Sequence, residues 1–227
     1  MQLLFVTYIS RSGSTLFLNQ LSKYENFCVC PEADVLVKEF LYYPLKIFDA
    51  SELRKKLAKL IANDPKLRAW HISANEADQI SLKRTGLEIF IAFLQVYRNR
   101  VNPKASTVVF KAVEMVNCYS SFENFAENGY SVKHVAIFRD PRGIFNSQSK
   151  TKTPIKNKCI NTNPLVTAYL FNHMLRSVSA YKNDYPNSSL TLRFEDFIQK
   201  PNETIERICA KLGVNLGNTS DLSLIHI

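Results

Sequence analysis

The octapeptide Tyr8-Ile9-Ser10-Arg11-Ser12-Gly13-Ser14-Thr15 concentrates residue types that bind oxyanions. It joins an apolar run, Leu3 to Ile9, to a helix-like run, Thr15 to Lys23. A strand that turns through glycine into a helix N-terminus presents unpaired backbone N–H groups. Together with the helix dipole these form a seat for phosphate or sulfate. The hydroxyls of Ser12, Ser14 and Thr15 add donors, and Arg11 adds a fixed charge on a planar fork. This is more than an ordinary strand-to-helix turn requires. A Walker A loop needs a longer glycine-flanked span and a lysine before its final hydroxyl residue, so an ordinary NTPase is disfavoured.

A second stretch, Ile137-Phe138-Arg139-Asp140-Pro141-Arg142-Gly143-Ile144-Phe145-Asn146-Ser147, sets Arg139 at the carboxyl end of a strand. Ser147 follows about two turns into the next helix. Ligands of open α/β sheets collect at those strand ends, so a second phosphate is expected there. Two anion seats on one sheet edge suit a doubly phosphorylated nucleotide.

The elements that must position these groups are legible in outline. Leu3 to Ile9 is continuously apolar and reads as a central strand, and Phe27 to Cys30 as a short second one ending at Pro31-Glu32-Ala33-Asp34. Val35 to Asn63 is predicted helical, with Ser51-Glu52 starting the segment that carries Leu53, Leu57, Leu60 and Ile61. Gly86 to Val101 is predicted to be an amphipathic helix with Leu87, Phe90, Ile91, Leu94 and Tyr97 on one stripe. Thr107 to Val113 and Val132 to Phe138 are β-branched strands. Asn163-Pro164 opens a helix toward Lys182, Ser189 to Arg193 is a last strand, and Pro201 to Leu212 is a terminal helix closed by Gly213. The alternation predicts an α/β fold with three layers, a central parallel sheet flanked by helices on both faces. Lys150 to Asn161 stands apart: basic at Lys150, Lys152, Lys156 and Lys158 and without hydrophobic period, it is expected to be a mobile loop, a lid or acceptor-facing segment.

Composition bounds the partners. A chain of 227 residues, 46% hydrophobic and 22% charged, suits a soluble α/β domain. A net charge of +9 and a pI near 9.3 favour an acidic ligand, nucleic acid or anionic surface without choosing among them. No apolar run reaches membrane-span length and the N-terminus lacks signal-peptide character, so a cytoplasmic location is expected. Five scattered cysteines show neither zinc-cluster nor CxxC spacing, so no disulfide and no metal are expected.

The sequence resembles the sulfotransferases that use 3′-phosphoadenosine 5′-phosphosulfate (PAPS). The resemblance rests on Ser10-Arg11-Ser12-Gly13-Ser14-Thr15-Leu16, on Arg139 with Ser147, and on Leu192-Arg193-Phe194-Glu195-Asp196-Phe197 followed by Lys200-Pro201 and Ala210-Lys211-Leu212-Gly213. It implies the P-loop-NTPase-like sulfotransferase fold, with the first loop on the 5′-phosphosulfate and Arg139 and Ser147 on the 3′-phosphate. Arg11 matches the family's cation against the bridging and sulfuryl oxygens. The loop style is similar to that of tyrosylprotein and carbohydrate sulfotransferases, which implies Glu32 as general base and Lys111 near the sulfuryl group. Asp34 rivals Glu32 as base, each acid also suits helix capping, and His71, His134 and His173 are further candidates. The implied partners are PAPS, with PAP as product, and a hydroxyl-bearing acceptor; no nucleic acid is expected. The alternatives are a noncatalytic binding protein for a phosphonucleotide or polyanion and a phosphotransferase. Leu222-Ser223-Leu224-Ile225-His226-Ile227 is the translation of CTG TCT CTT ATA CAC ATC, a transposon end. The domain is therefore expected to span 1–221, C-terminally truncated, with 222–227 a non-native tail.

Overall fold

The computed structural model describes residues 1–153 and 157–219. Five strands, β1 (Gln2–Tyr8), β2 (Phe27–Val29), β3 (Thr107–Lys111), β4 (Ser131–Phe138) and β5 (Ser189–Arg193), form one sheet in the order β2-β3-β1-β4-β5. Every pairing is parallel, with Leu3 opposite Val108 on one side and Val132 on the other. From β1 the chain passes to β2 and β3 on one flank, then crosses to β4 and β5 on the other. The loop after β1 therefore emerges at the middle of the carboxyl edge, where ligands of such sheets sit.

Eleven α-helices surround the sheet: α1 (Ser14–Leu21), α2 (Asp34–Leu36), α3 (Ala50–Asn63), α4 (Pro65–Arg68), α5 (Ala74–Ser81), α6 (Gly86–Val101), α7 (Ser121–Glu127), α8 (Pro141–Lys150), α9 (Pro164–Asp184), α10 (Phe194–Gln199) and α11 (Pro201–Leu212), counted among the described residues. Strand period 2 sorts the core between two faces. Leu3 and Phe5 pack with Phe90, Phe110 and Trp70, whereas Leu4, Val6 and Tyr8 pack with Phe17, Phe197 and Ile205 of α1, α10 and α11. Leu3, Leu4, Phe5 and Val6 are all at most 1% exposed, which is why this stretch reads as an apolar run; Thr7, equally buried, is hydrogen-bonded to His134. Among the described residues no helix is long and apolar enough to cross a membrane.

Several expectations need correction. The helical run from Val35 is broken: α2 passes into a π-helical turn, Val37–Leu41, and the chain leaves helix before α3. The cap of α3 is Asp49, whose carboxylate accepts from the Ser51 and Glu52 N–H groups, so Ser51-Glu52 lies inside the helix. Helix α6 is buried beyond its expected stripe, at Ile89, Ala92 and Phe93 as well, because other apolar elements pack around it. Gly86 permits that approach, since a Cβ there would lie 2.3 Å from the Phe40 carbonyl oxygen. Strand β3 stops at Lys111, and Val113–Asn117 is a 3-10 helix. In the basic loop, Lys152 and Cys159 form an antiparallel bridge and the Ile160 N–H donates to the Thr151 carbonyl at 3.0 Å. Residues 154–156 of that loop, including Lys156, and the expected tail at 222–227 lie outside the described residues.

Candidate active site

The loop between β1 and α1 is held in a conformation that bares its donors. The Ser12 N–H donates to the Ile9 carbonyl at 3.0 Å, and Arg11 takes a left-handed backbone, φ 76°. Such a conformation in a non-glycine residue persists where neighbours fix it. Here Arg139 Nη1 donates to the Arg11 carbonyl at 2.9 Å, and Gln148 Nε2 donates to the Ser10 carbonyl at 3.0 Å. Gly13, φ 89°, precedes α1 with no side-chain cap, and a Cβ on it would fall 2.1 Å from Phe194 Cε2. The Ser12 hydroxyl is buried without a hydrogen-bond partner among the described residues.

The second stretch, Ile137 to Ser147, lies against the first. Asp140 caps α8 by accepting from the Arg142 N–H at 2.9 Å, and Pro141 fits the first helical turn, where its missing N–H costs nothing. Arg11 Nε donates to Ser147 Oγ at 3.0 Å. The Arg139 guanidinium stands 5.0 Å from the centre of the Phe194 ring, and Glu195 accepts from the Asp140 N–H at 2.9 Å. A cavity of about 430 Å³ beside them is lined by Arg139 and Arg193.

On the other side of the loop, Lys111 ends β3 and is 7% exposed. Its Nζ donates to Thr15 Oγ1 at 3.1 Å and lies 3.6 Å from Glu32 Oε2. Burial pushes this ammonium's pKa down, and the Glu32 carboxylate opposes that shift. Lys66 of α4 is paired with Glu32 Oε1 and lies 2.7 Å from Asp34 Oδ2. Asp34 Oδ1 accepts from the Val113 N–H at 2.9 Å. Neither acid caps α2, whose N-cap is Ala33; Asp34 instead holds the turn after β3. The Tyr8 phenol is pushed well up by burial and then by Glu32, without meeting hydrogen-bond geometry to any described group.

The structure thus brings Arg11, Arg139 and Ser147 together on one flank of the loop and Glu32, Lys111 and Thr15 on the other. Among the described residues, none of His71, His134 and His173 is hydrogen-bonded to Glu32, although His173 lines the cavity beside Tyr8. His134 is fully buried, hydrogen-bonded to Ser189 and Thr7 at 2.8 and 3.0 Å, and burial pushes its pKa down to about 3. His173 is bonded to Asn117 at 2.9 Å, and His71 occupies an exposed left-handed turn, φ 48°. Sequence reasoning missed three supports. Phe194 belongs to a recognised motif, but only contact with Gly13 and Arg139 shows its work; Gln148 and Lys66 carry no sequence signal.

The family model described as Sulfotransferase family matches residues 4–218. No curated protein matches the chain. Among solved structures, the sulfotransferase domain from the curacin biosynthetic pathway is 18% identical with a TM-score of 0.58, covering 94% of this chain and 74% of that one. The sulfotransferase domain of the Synechococcus PCC 7002 olefin synthase is 15% identical with a TM-score of 0.61, covering 94% and 73%. A sulfotransferase from Alicyclobacillus acidocaldarius is 12% identical with a TM-score of 0.59, covering 100% and 87%. At these identities the likeness is one of fold.

Proposed function

Because the chain belongs to the sulfotransferase family, we propose that it transfers the sulfuryl group of PAPS to an acceptor hydroxyl, with Glu32 as general base. The residues fit such a nucleotide: the uncapped α1 N-terminus, the unpartnered Ser12 hydroxyl and the space kept open at Gly13 form a cradle for an anion. The 5′ end belongs in that cradle, and the 3′-phosphate belongs to Arg139 and Ser147. When bound, PAPS supplies a sulfuryl group on an anhydride whose leaving phosphate gains charge as the bond breaks. Arg11 and Lys111 set fixed cations beside that charge, which stabilises the transition state more than the ground state. Glu32 takes the proton from the acceptor hydroxyl, and Lys66 orients its carboxylate.

The observation that carries this reading is Lys111, whose buried ammonium touches the loop at Thr15 and the carboxylate of Glu32. One residue therefore couples the cradle to the base. The test measures transfer of labelled sulfuryl from PAPS to carbohydrate, tyrosyl-peptide, lipid and phenol acceptors, beside PAP titrations of wild type and Glu32→Gln. Transfer abolished with PAP affinity retained is the expected result. PAP binding with no transfer by wild type to any acceptor class identifies a noncatalytic phosphonucleotide-binding protein instead.

A further inference from the structure

A cavity of about 190 Å³ adjoins both halves of the site. Ile9 and Ser10 of the loop bound it on one side, Val113 and Val116 of the turn after β3 on another, and Leu170 and Met174 of α9 close it. Its walls back directly onto the chemistry. Ser10 precedes Arg11, Val113 is tied through its N–H to Asp34, and Tyr8, which also borders the cavity, has Lys111 Nζ 5.2 Å from its ring centre.

Three polar side chains of the wall, Gln148, Asn161 and His173, are already hydrogen-bonded, while the Tyr8 phenol is buried without a partner among the described residues. Gln148 donates to the Ser10 carbonyl and accepts from Thr167 Oγ1 at 3.0 Å and Asn161 Nδ2 at 3.3 Å. Asn161 also donates to the Asn163 carbonyl at 3.0 Å and accepts from the Asn163 N–H at 2.9 Å. His173 is engaged with Asn117. Apart from the Tyr8 phenol the wall is largely aliphatic, so a ligand bearing several hydroxyls would bury most of them without partners, which costs more than leaving them in water. An apolar body faces no such penalty. An apolar cavity of about 150 Å³ takes up benzene, so this one matches a single aromatic ring or a short aliphatic chain.

We infer that this cavity is the acceptor site and that the acceptor is a compact alcohol or phenol with an apolar body, held with its hydroxyl toward Glu32 and the loop. This assignment rests on the sulfuryl-transfer reading and deepens it, because a largely aliphatic wall favours an apolar acceptor over a saccharide. Leu170 and Val113 become the residues that set acceptor size.

The test is equilibrium binding of phenol, benzyl alcohol, 2-naphthol, glucose and a tyrosyl tetrapeptide to PAP-saturated wild-type, Leu170→Trp and Leu170→Ala protein. Phenol and benzyl alcohol bind wild type and glucose does not. Leu170→Trp weakens both alcohols by about tenfold or more while PAP still binds, and Leu170→Ala improves 2-naphthol by a similar factor. PAP retention certifies that each variant is folded. PAP binding without phenol or benzyl alcohol binding overturns the acceptor assignment alone, as does unchanged phenol affinity in Leu170→Trp or preferential binding of glucose or the peptide. Failure of wild type to bind PAP overturns the sulfuryl-transfer reading, and the acceptor assignment falls with it.

Discussion

Arg11 Nε donates to the Ser147 hydroxyl at 3.0 Å, across 136 positions of sequence. The contact makes the loop after β1 and the start of α8 one surface, because Arg139 also reaches back to the Arg11 carbonyl. A phosphate at Ser147 and a phosphosulfate at the loop would share the charge of Arg11 and the geometry set by Arg139.

Replacing Arg139 or Ser147 with alanine should weaken PAP binding by about 1–3 kcal/mol, the scale of a hydrogen bond to a charged group. Affinity for the nucleotide lacking the 3′-phosphate should hardly change in Ser147→Ala. Equal losses for both nucleotides in calorimetric titrations would remove Ser147 from the 3′-phosphate site.

Arg11→Ala should depress kcat for sulfuryl transfer more than it weakens PAP affinity, since its charge counts most while the leaving phosphate gains charge. Steady-state kinetics set beside PAP titrations check this. A variant with weaker PAP binding and normal turnover would confine Arg11 to binding.

Gly13→Ala should lose both stability and nucleotide affinity. The added methyl group meets Phe194 Cε2 at 2.1 Å, and φ 89° is unfavourable for alanine. A stability loss of about 1–3 kcal/mol is expected from the overpacking alone. Adding Phe194→Ala removes the clash but leaves the backbone strain, so urea unfolding of the double variant should show no full rescue.

His134 supplies a pH signature unrelated to the reaction. Its folded-state pKa of about 3 lies below its ordinary 6.5, so the unfolded chain binds the proton more readily between those values. Its contribution is fully present above pH 6.5 and is lost as pH falls toward 3, at about 1.4 kcal/mol per unit. Between pH 6.5 and 5 this amounts to about 2 kcal/mol. Denaturant unfolding of His134→Gln should lack this slope, and an equal slope would assign the acid sensitivity to other groups.

The sequence alone determined the sheet strands and the loop, for a physical reason. Strands buried on both faces are mostly apolar, as Leu3 to Val6 are, and a glycine flanked by hydroxyls at a helix start leaves a local signature. Arg139 was legible because it follows a strand directly. Helix boundaries between Val35 and Ala50 were not: the π-helical turn depends on what packs against Phe40 and Leu41, whereas the Asp49 cap is a local signal that sequence reasoning passed over for Ser51. Tertiary structure alone decided that Asp34 braces the Val113 turn while Glu32 faces Lys111, two acids in one short segment with different partners. It likewise decided the partnership of Lys66 with both acids, the seat of Phe194 against Gly13, and the apolar cavity under α9. Those contacts join segments far apart in the chain, and no local pattern encodes which charge or ring meets which across a sheet edge.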